Sequence, residues 1–172
     1  MKNLFQIDKS GGNIFEKDYS IVLIVDKKKV YGINIPQKIK NDLFYQFKRG
    51  HLKIEANSGK KQKNRVRLRF HTVIIIKLLE KAIKDLESLE DVNIQICNDF
   101  DGHFHEIKDM VFNNLQDIIP GLKREDIVSK KFQKPSQIDE ACKAFRMKDK
   151  KKLKGYTTIN LNSKDIIESV KK

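Results

Sequence analysis

Apolar and polar residues follow two rhythms along this chain, and the changes of rhythm mark out its elements. Residues 1–18 contain Ser10-Gly11-Gly12-Asn13 and little periodicity, which predicts an N-terminal arm or loop. Ser20 to Asp26 is a continuous apolar, β-branched run, the pattern of a strand buried on both faces. Lys27-Lys28-Lys29 makes a turn, and Val30 to Ile35 completes a hairpin. Pro36 opens a helix with Ile39, Leu43 and Phe47 at successive i, i+4 positions, and Gly50 ends it. Leu52 to Ala56 alternates weakly and predicts a short strand.

Residues 58–64 read as a polar, basic loop. Arg65-Val66-Arg67-Leu68-Arg69-Phe70 alternates strictly, which predicts a strand with three arginines on one face. Thr72 to Leu89 has the helical stripe Val73, Ile76, Leu79, Ile83 and Leu86. Val92 to Asp99 predicts a strand ending in an acid, followed by a helix from about His105 to Ile119 that Pro120-Gly121 stops. A short strand around Asp126–Ser129 precedes Pro135, and a helix follows with Ile138, Ala141, Cys142 and Phe145 on one face. Tyr156 to Leu161 predicts a last strand and Ser163 to Val170 a terminal helix. Antiparallel strands come first and alternating helices and strands later. That order describes a single α/β domain over 19–172, with a mixed central sheet flanked by helices.

Composition narrows the function. The chain has 172 residues, of which 39% are apolar and 34% charged. This is enough for one domain with a proper core. Lys and Arg number 36 against 23 Asp and Glu, a net charge of +13. An anionic partner follows, with nucleic acid, RNA or DNA, ahead of a membrane surface. Cys97 and Cys142 are too few for a disulfide scaffold and sit in apolar surroundings, as core thiols of a reducing compartment do. No apolar run approaches the roughly 20 residues of a membrane span, and the N-terminus lacks the apolar core of a signal peptide. The expectation is a soluble, cytoplasmic protein with no membrane partner.

Candidate chemistry concentrates after the predicted strand 92–99. Asp99, Asp101, His103 and His105 fall at every second position between a strand and a helix, where open α/β sheets place their ligand sites. Carboxylates there suit Mg²⁺ or Mn²⁺, and imidazoles widen the choice. The competing reading is a polar loop whose acid caps the helix. Asp26 ends an apolar strand, as a metal ligand or as an ordinary hairpin residue. Asp139 stands one turn into a helix, as a ligand or as a capping acid paired with Ser136. His71, before the long helix, reads as a polar cap or a surface residue.

The cations suggest two contact regions. Lys60, Lys61, Lys63, Arg65, Arg67 and Arg69 lie in a stretch free of acids, and as a strand the arginines would repeat at about 6–7 Å. Lys143 to Lys154, including Lys150, Lys151 and Lys152, forms a second cluster diluted by Asp149. Either could neutralise phosphates, or be a solvated face.

Taken together, the chain resembles the ribonuclease H-like superfamily over about residues 20–147. That family places acids in or at the end of the first strand, at the start of the first core helix, at the end of the fourth strand and near the start of the last helix. Asp26, Asp99 and Asp139 fall in that order, and Ile138-Asp139-Glu140-Ala141 is similar to the last-helix pattern. The resemblance implies a divalent-metal site, with Mg or Mn held by Asp26, Asp99 and Asp139 and supplemented by Asp101, with His103 available to handle a proton. It implies a phosphodiester hydrolase, a nuclease. Three departures accompany it: the first-helix acid is missing, with His71 at that point, the helix at 36–49 interrupts the family's three-strand meander, and the first strand lacks the Asp-Gly pair common in the ribonuclease H branch. A non-catalytic nucleic-acid-binding protein on the same fold is a second reading. A metal hydrolase using Asp99, Asp101, His103 and His105 alone is a third.

Overall fold

The computed structural model describes residues 2–12, 19–49, 59–100 and 102–171, and of 59–63 and 171 the backbone only. Its centre is a six-stranded mixed sheet in the order β5-β4-β1-β2-β3-β6. The strands are β1 (Asn3–Ser10), β2 (Ser20–Val25), β3 (Lys29–Asn34), β4 (Val92–Cys97), β5 (Ile127–Lys130) and β6 (Thr157–Thr158). The helices are α1 (Gln37–Lys48), α2 (Gly59–Lys84), α3 (Phe104–Leu115), α4 (Gln137–Met147), the single turn α5 (Lys150–Leu153) and α6 (Ser163–Lys171). Among the described residues, no helix is long and apolar enough to cross a membrane.

The N-terminal arm expected over 1–18 is corrected first. Asn3–Ser10 is a central strand, antiparallel to β2 and parallel to β4. Phe5 and Ile7 are buried in the core on one face, so alternation turns Gln6 and Asp8 to the other. With only two apolar residues facing the larger core and Leu4 alone among polar residues on the opposite face, the segment has too little contrast to read as a core strand. Its partners are supplied by distant sequence.

With β1 in place, β1-β2-β3 is an unbroken antiparallel meander, and α1 follows it rather than interrupting it. The β2–β3 hairpin agrees with the sequence pattern. Its turn residues Asp26 and Lys27 have φ of 52° and 58°, left-handed conformations in a three-residue connection closed by the Lys28 amide donating to the Val25 carbonyl at 2.9 Å. β2 is buried on both faces: Ile21, Leu23 and Val25 join the larger core, while Val22 and Ile24 join the smaller one.

The arginine strand is the second correction. Residues 59–84 form one helix, α2. Val66, Phe70, Ile74, Leu78 and Ala82 are buried at i, i+4 intervals, so the alternation over 65–70 is a local coincidence inside a 3.6-residue period. Alternate positions are about 200° apart on a helix, so Arg65 and Arg69, four apart, share one side of α2 and Arg67 is turned away from them. Arg69 donates to the Val170 carbonyl at 3.3 Å, Arg67 to Asn64 Oδ1 at 3.4 Å, and Arg65 is exposed. Lys60, Lys61 and Lys63 occupy the first turns of the same helix. The strand expected at Leu52 to Ala56 lies outside the described residues.

The sheet has helices on both faces. The larger core takes in the buried side of α2 and residues of α3 and α6. On the other face α4 lays Ile138, Ala141, Cys142 and Phe145 against Val22, Ile24 and Val30. Gly32 permits this approach, because a Cβ there would stand 2.2 Å from the Phe145 ring. α4 packs on β1, β2 and β3 and leaves the β4–β5 side of that face open. The opening borders the candidate site.

Candidate metal centre

The open part of the α4 face holds a cleft of about 1050 Å³ at the C-terminal ends of β1 and β4. Asp8, Asp99 and Asp139 line it together. Each arrives by a different route. Asp8 is the sixth residue of β1, turned to the α4 face by the pleat. Asp99 lies just past the end of β4, which runs parallel beside β1. Asp139 lies in the first turn of α4, where Ser136 caps the helix by accepting from the Asp139 amide at 3.3 Å.

Asp8 is 8% exposed and Asp139 5%. The Asp8 carboxylate accepts from the Lys9 amide at 2.8 Å. Burial raises its pKa above the ordinary carboxylate value, and the Asp99 charge adds to this, while Cys97, the Lys9 amide and Lys134 oppose it. Cys97 is a buried thiol that donates to Asp99 Oδ2. Burial first, then the charges of Asp99 and Asp8, push its pKa far up, so it stands as the neutral thiol. After burial, the charges of Asp8, Asp139 and Asp99 also raise the Cys142 thiol, so all three acids act on one spot.

Cations complete the cleft. Lys9 Nζ is 3.7 Å from Asp99 Oδ1. Lys143 Nζ is 2.9 Å from Asp139 Oδ2, and Lys134 Nζ is 3.7 Å from Oδ1. Lys130, Lys131 and Arg146 line the same space.

Asp8, Cys97 and Asp99 could hold a metal ion: one ligand atom from each lies within 4.8 Å of the others. The donor chemistry fits a hard divalent cation, since the two carboxylates supply oxygen ligands; Asp139 lines the same cleft outside that close group. Asp139 Oδ2 is buried and has no hydrogen bond despite the nearby ammonium of Lys143. The crowded Asp8–Asp99 pair is what a cation would relieve. Cys97 adds a softer donor only if it loses its proton.

Asp99 and Asp139, singled out by sequence, line one cleft. Asp26 is not. Val25 pairs with Phe5, whereas Asp8 pairs with Val22, so Asp26 sits at the opposite end of β1 from the cleft. There it accepts from the Leu4 amide at 2.7 Å and from Asn3 Nδ2 at 3.2 Å, holding the hairpin to the start of β1. β2 is the first segment with the pattern of a buried strand, and that pattern points to Asp26. Asp8 was missed for the same reason, although an acid at a strand end before Ser10-Gly11-Gly12 was a usable signal.

His103 and His105 are exposed and do not line the cleft. His103 Nδ1 meets Glu106 at 2.8 Å across the first turn of α3. Asp101 lies outside the described residues. His71 is buried inside α2 instead of opening it, with Nδ1 2.6 Å from the Tyr19 hydroxyl. Lys150, Lys151 and Lys152 form α5 and are exposed beyond the end of α4.

Comparison of the chain with family models, with curated proteins and with solved structures finds no match.

Proposed function

We propose that the protein is a divalent-metal-dependent phosphodiester hydrolase acting on nucleic acid, on a divergent ribonuclease H-like fold. The observation that carries this reading is the meeting of Asp8, Asp99 and Asp139, from the first strand, the fourth strand and the helix α4, in one cationic cleft. These positions correspond to three of the family's four acids, and the antiparallel meander β1-β2-β3 with β4 beside β1 suits the same fold. The fourth acid has no counterpart in His71, which is buried and neutral.

Asp8, Asp99 and Asp139 would hold Mg²⁺ or Mn²⁺. Such ions activate water and stabilise the leaving oxygen at a phosphodiester. The rest falls to the chain's own side chains. Lys130, Lys131 and Arg146 draw the phosphate backbone into the cleft and orient it. The sheet and α4 hold the carboxylates on rigid elements, which fixes where a phosphate can stand. His103 has no part in the proton transfers, because its ring faces Glu106 and solvent.

One observation favours the non-catalytic reading: Asp99 and Asp139 already have lysine partners. Cleavage assays separate the two. Wild type and Asp99→Asn are incubated with labelled single-stranded, duplex and RNA–DNA hybrid substrates in Mg²⁺, Mn²⁺ or EDTA. The nuclease reading expects cleavage only with metal, and a loss in the variant beyond the roughly 10–100-fold typical of outer-shell partners. Salt-sensitive binding by both proteins without cleavage would establish the binding module instead.

A further inference from the structure

The lysines on Asp139 have a second property besides their charge. Lys134 comes from the β5–α4 connection and Lys143 from the next turn of α4, and both reach the same buried carboxylate. Their own side chains are 72% and 52% accessible, whereas that of Asp139 is 7% accessible. The carboxylate is therefore fixed in place and the ammonium groups are not. Lys143 at i+4 spans one helical turn by an extended, multi-rotamer stem, and Lys134 at 3.7 Å makes a loose contact. Lys143 Nζ stands 2.9 Å from Asp139 Oδ2 without the alignment of a hydrogen bond.

A carboxylate oxygen in contact with an ammonium is a poor metal ligand, because the two cations compete for it. A phosphate in the cleft changes that balance. It carries a full negative charge in the solvent-exposed half of the site, where both lysine stems can swing without breaking any backbone contact. The lysines would then exchange a carboxylate for a phosphate, with little net change in their own pairing.

We propose that Lys134 and Lys143 are phosphate-binding residues that rest on Asp139 when the cleft has no nucleic acid, so that substrate phosphate and divalent metal enter the site cooperatively. This rests on the metal-site reading above and adds to it a coupling between two ligands. Coupling of this kind is reciprocal: whatever factor nucleic acid adds to metal affinity, metal adds to nucleic-acid affinity.

The test is Mn²⁺ binding, followed by the paramagnetic signal of the free ion, in wild type, in Lys134→Gln/Lys143→Gln and in Asp8→Asn. Each is measured alone and with a single-stranded oligonucleotide. Exposed lysines can be replaced without disturbing the core. The expected result is that the lysine variant binds Mn²⁺ alone about three- to tenfold more tightly than wild type, the range exposed ion pairs allow. The oligonucleotide should tighten Mn²⁺ binding in wild type and much less in the variant. Equal Mn²⁺ affinity in wild type and the lysine variant, with both weakened by Asp8→Asn, would overturn the coupling and leave the metal site standing. Mn²⁺ affinity indifferent to Asp8→Asn would overturn the metal site and the coupling together.

Discussion

Tyr19 and His71 form the most demanding polar contact of the core. Both are buried, the hydroxyl lies 2.6 Å from Nδ1, and His71 Nε2 has no hydrogen bond among the described residues. Burial, with the Lys9 charge adding to it, lowers the His71 pKa from 6.5 to about 3. In the unfolded chain the imidazole takes up a proton near 6.5; in the folded chain it does so only near 3. Between those values the unfolded state binds the extra proton. The stability His71 contributes as a neutral ring is therefore complete above pH 6.5 and is lost as pH falls toward 3, by up to ~1.4 kcal/mol per unit. Asp8, with its raised pKa, acts in the opposite direction in both proteins and cancels in a comparison. Urea unfolding of wild type and His71→Asn from pH 7 to 4 should show a shallower slope in the variant; equal slopes would mean that His71 is not held neutral. Tyr19→Phe leaves Nδ1 unpaired and should cost about 1–3 kcal/mol by the same measurement.

Among the elements, the contact between β3 and α4 can be tested through Gly32. A Cβ there meets the ring of Phe145, which is 1% exposed and stacked on Tyr156 at 6.0 Å between centroids. Gly32→Ala should destabilise by about 1–3 kcal/mol in thermal or urea unfolding. The loss should shrink in a Phe145→Leu background, and strict additivity would show that the two do not touch. The elements also show what the sequence made visible. The β2–β3 hairpin, β4, α3, β5, α4 and α6 follow from periodicity and punctuation, because each carries its own buried stripe. Two did not follow. β1 takes its burial from β2 and β4, so its few apolar residues carry a weak signal. In α2, the alternation of Arg65 to Phe70 favours a strand locally, and the helical burial of Val66, Phe70 and Ile74 overrides it. Asp99 and Asp139 were visible because each ends or begins a well-marked element, whereas Asp8 depended on recognising β1.

For the molecule as a whole, the net charge of +13 has a direction. Lys130, Lys131 and Arg146 line the cleft, and the chain continues from the end of α4 into the exposed lysines of α5. In α2 Arg67 is turned away from Arg65 and Arg69, and Arg69 is engaged with the Val170 carbonyl. Nucleic-acid affinity should therefore fall with salt, and Lys150→Gln/Lys151→Gln/Lys152→Gln should reduce the log–log salt slope by about 0.9 for each duplex phosphate that is no longer neutralised. An unchanged slope would remove α5 from the interface. The central claim is that acids from β1, β4 and α4 make one hydrolytic centre, and that the acid at the other end of the sheet has no part in it. The most direct measurement is metal-dependent cleavage by Asp8→Asn beside Asp26→Asn. Asparagine suits the left-handed turn position of Asp26, so both chains should fold. The account predicts that Asp8→Asn abolishes cleavage and that Asp26→Asn cleaves as wild type does. Full activity in Asp8→Asn, or its loss in Asp26→Asn with the fold intact, would contradict it.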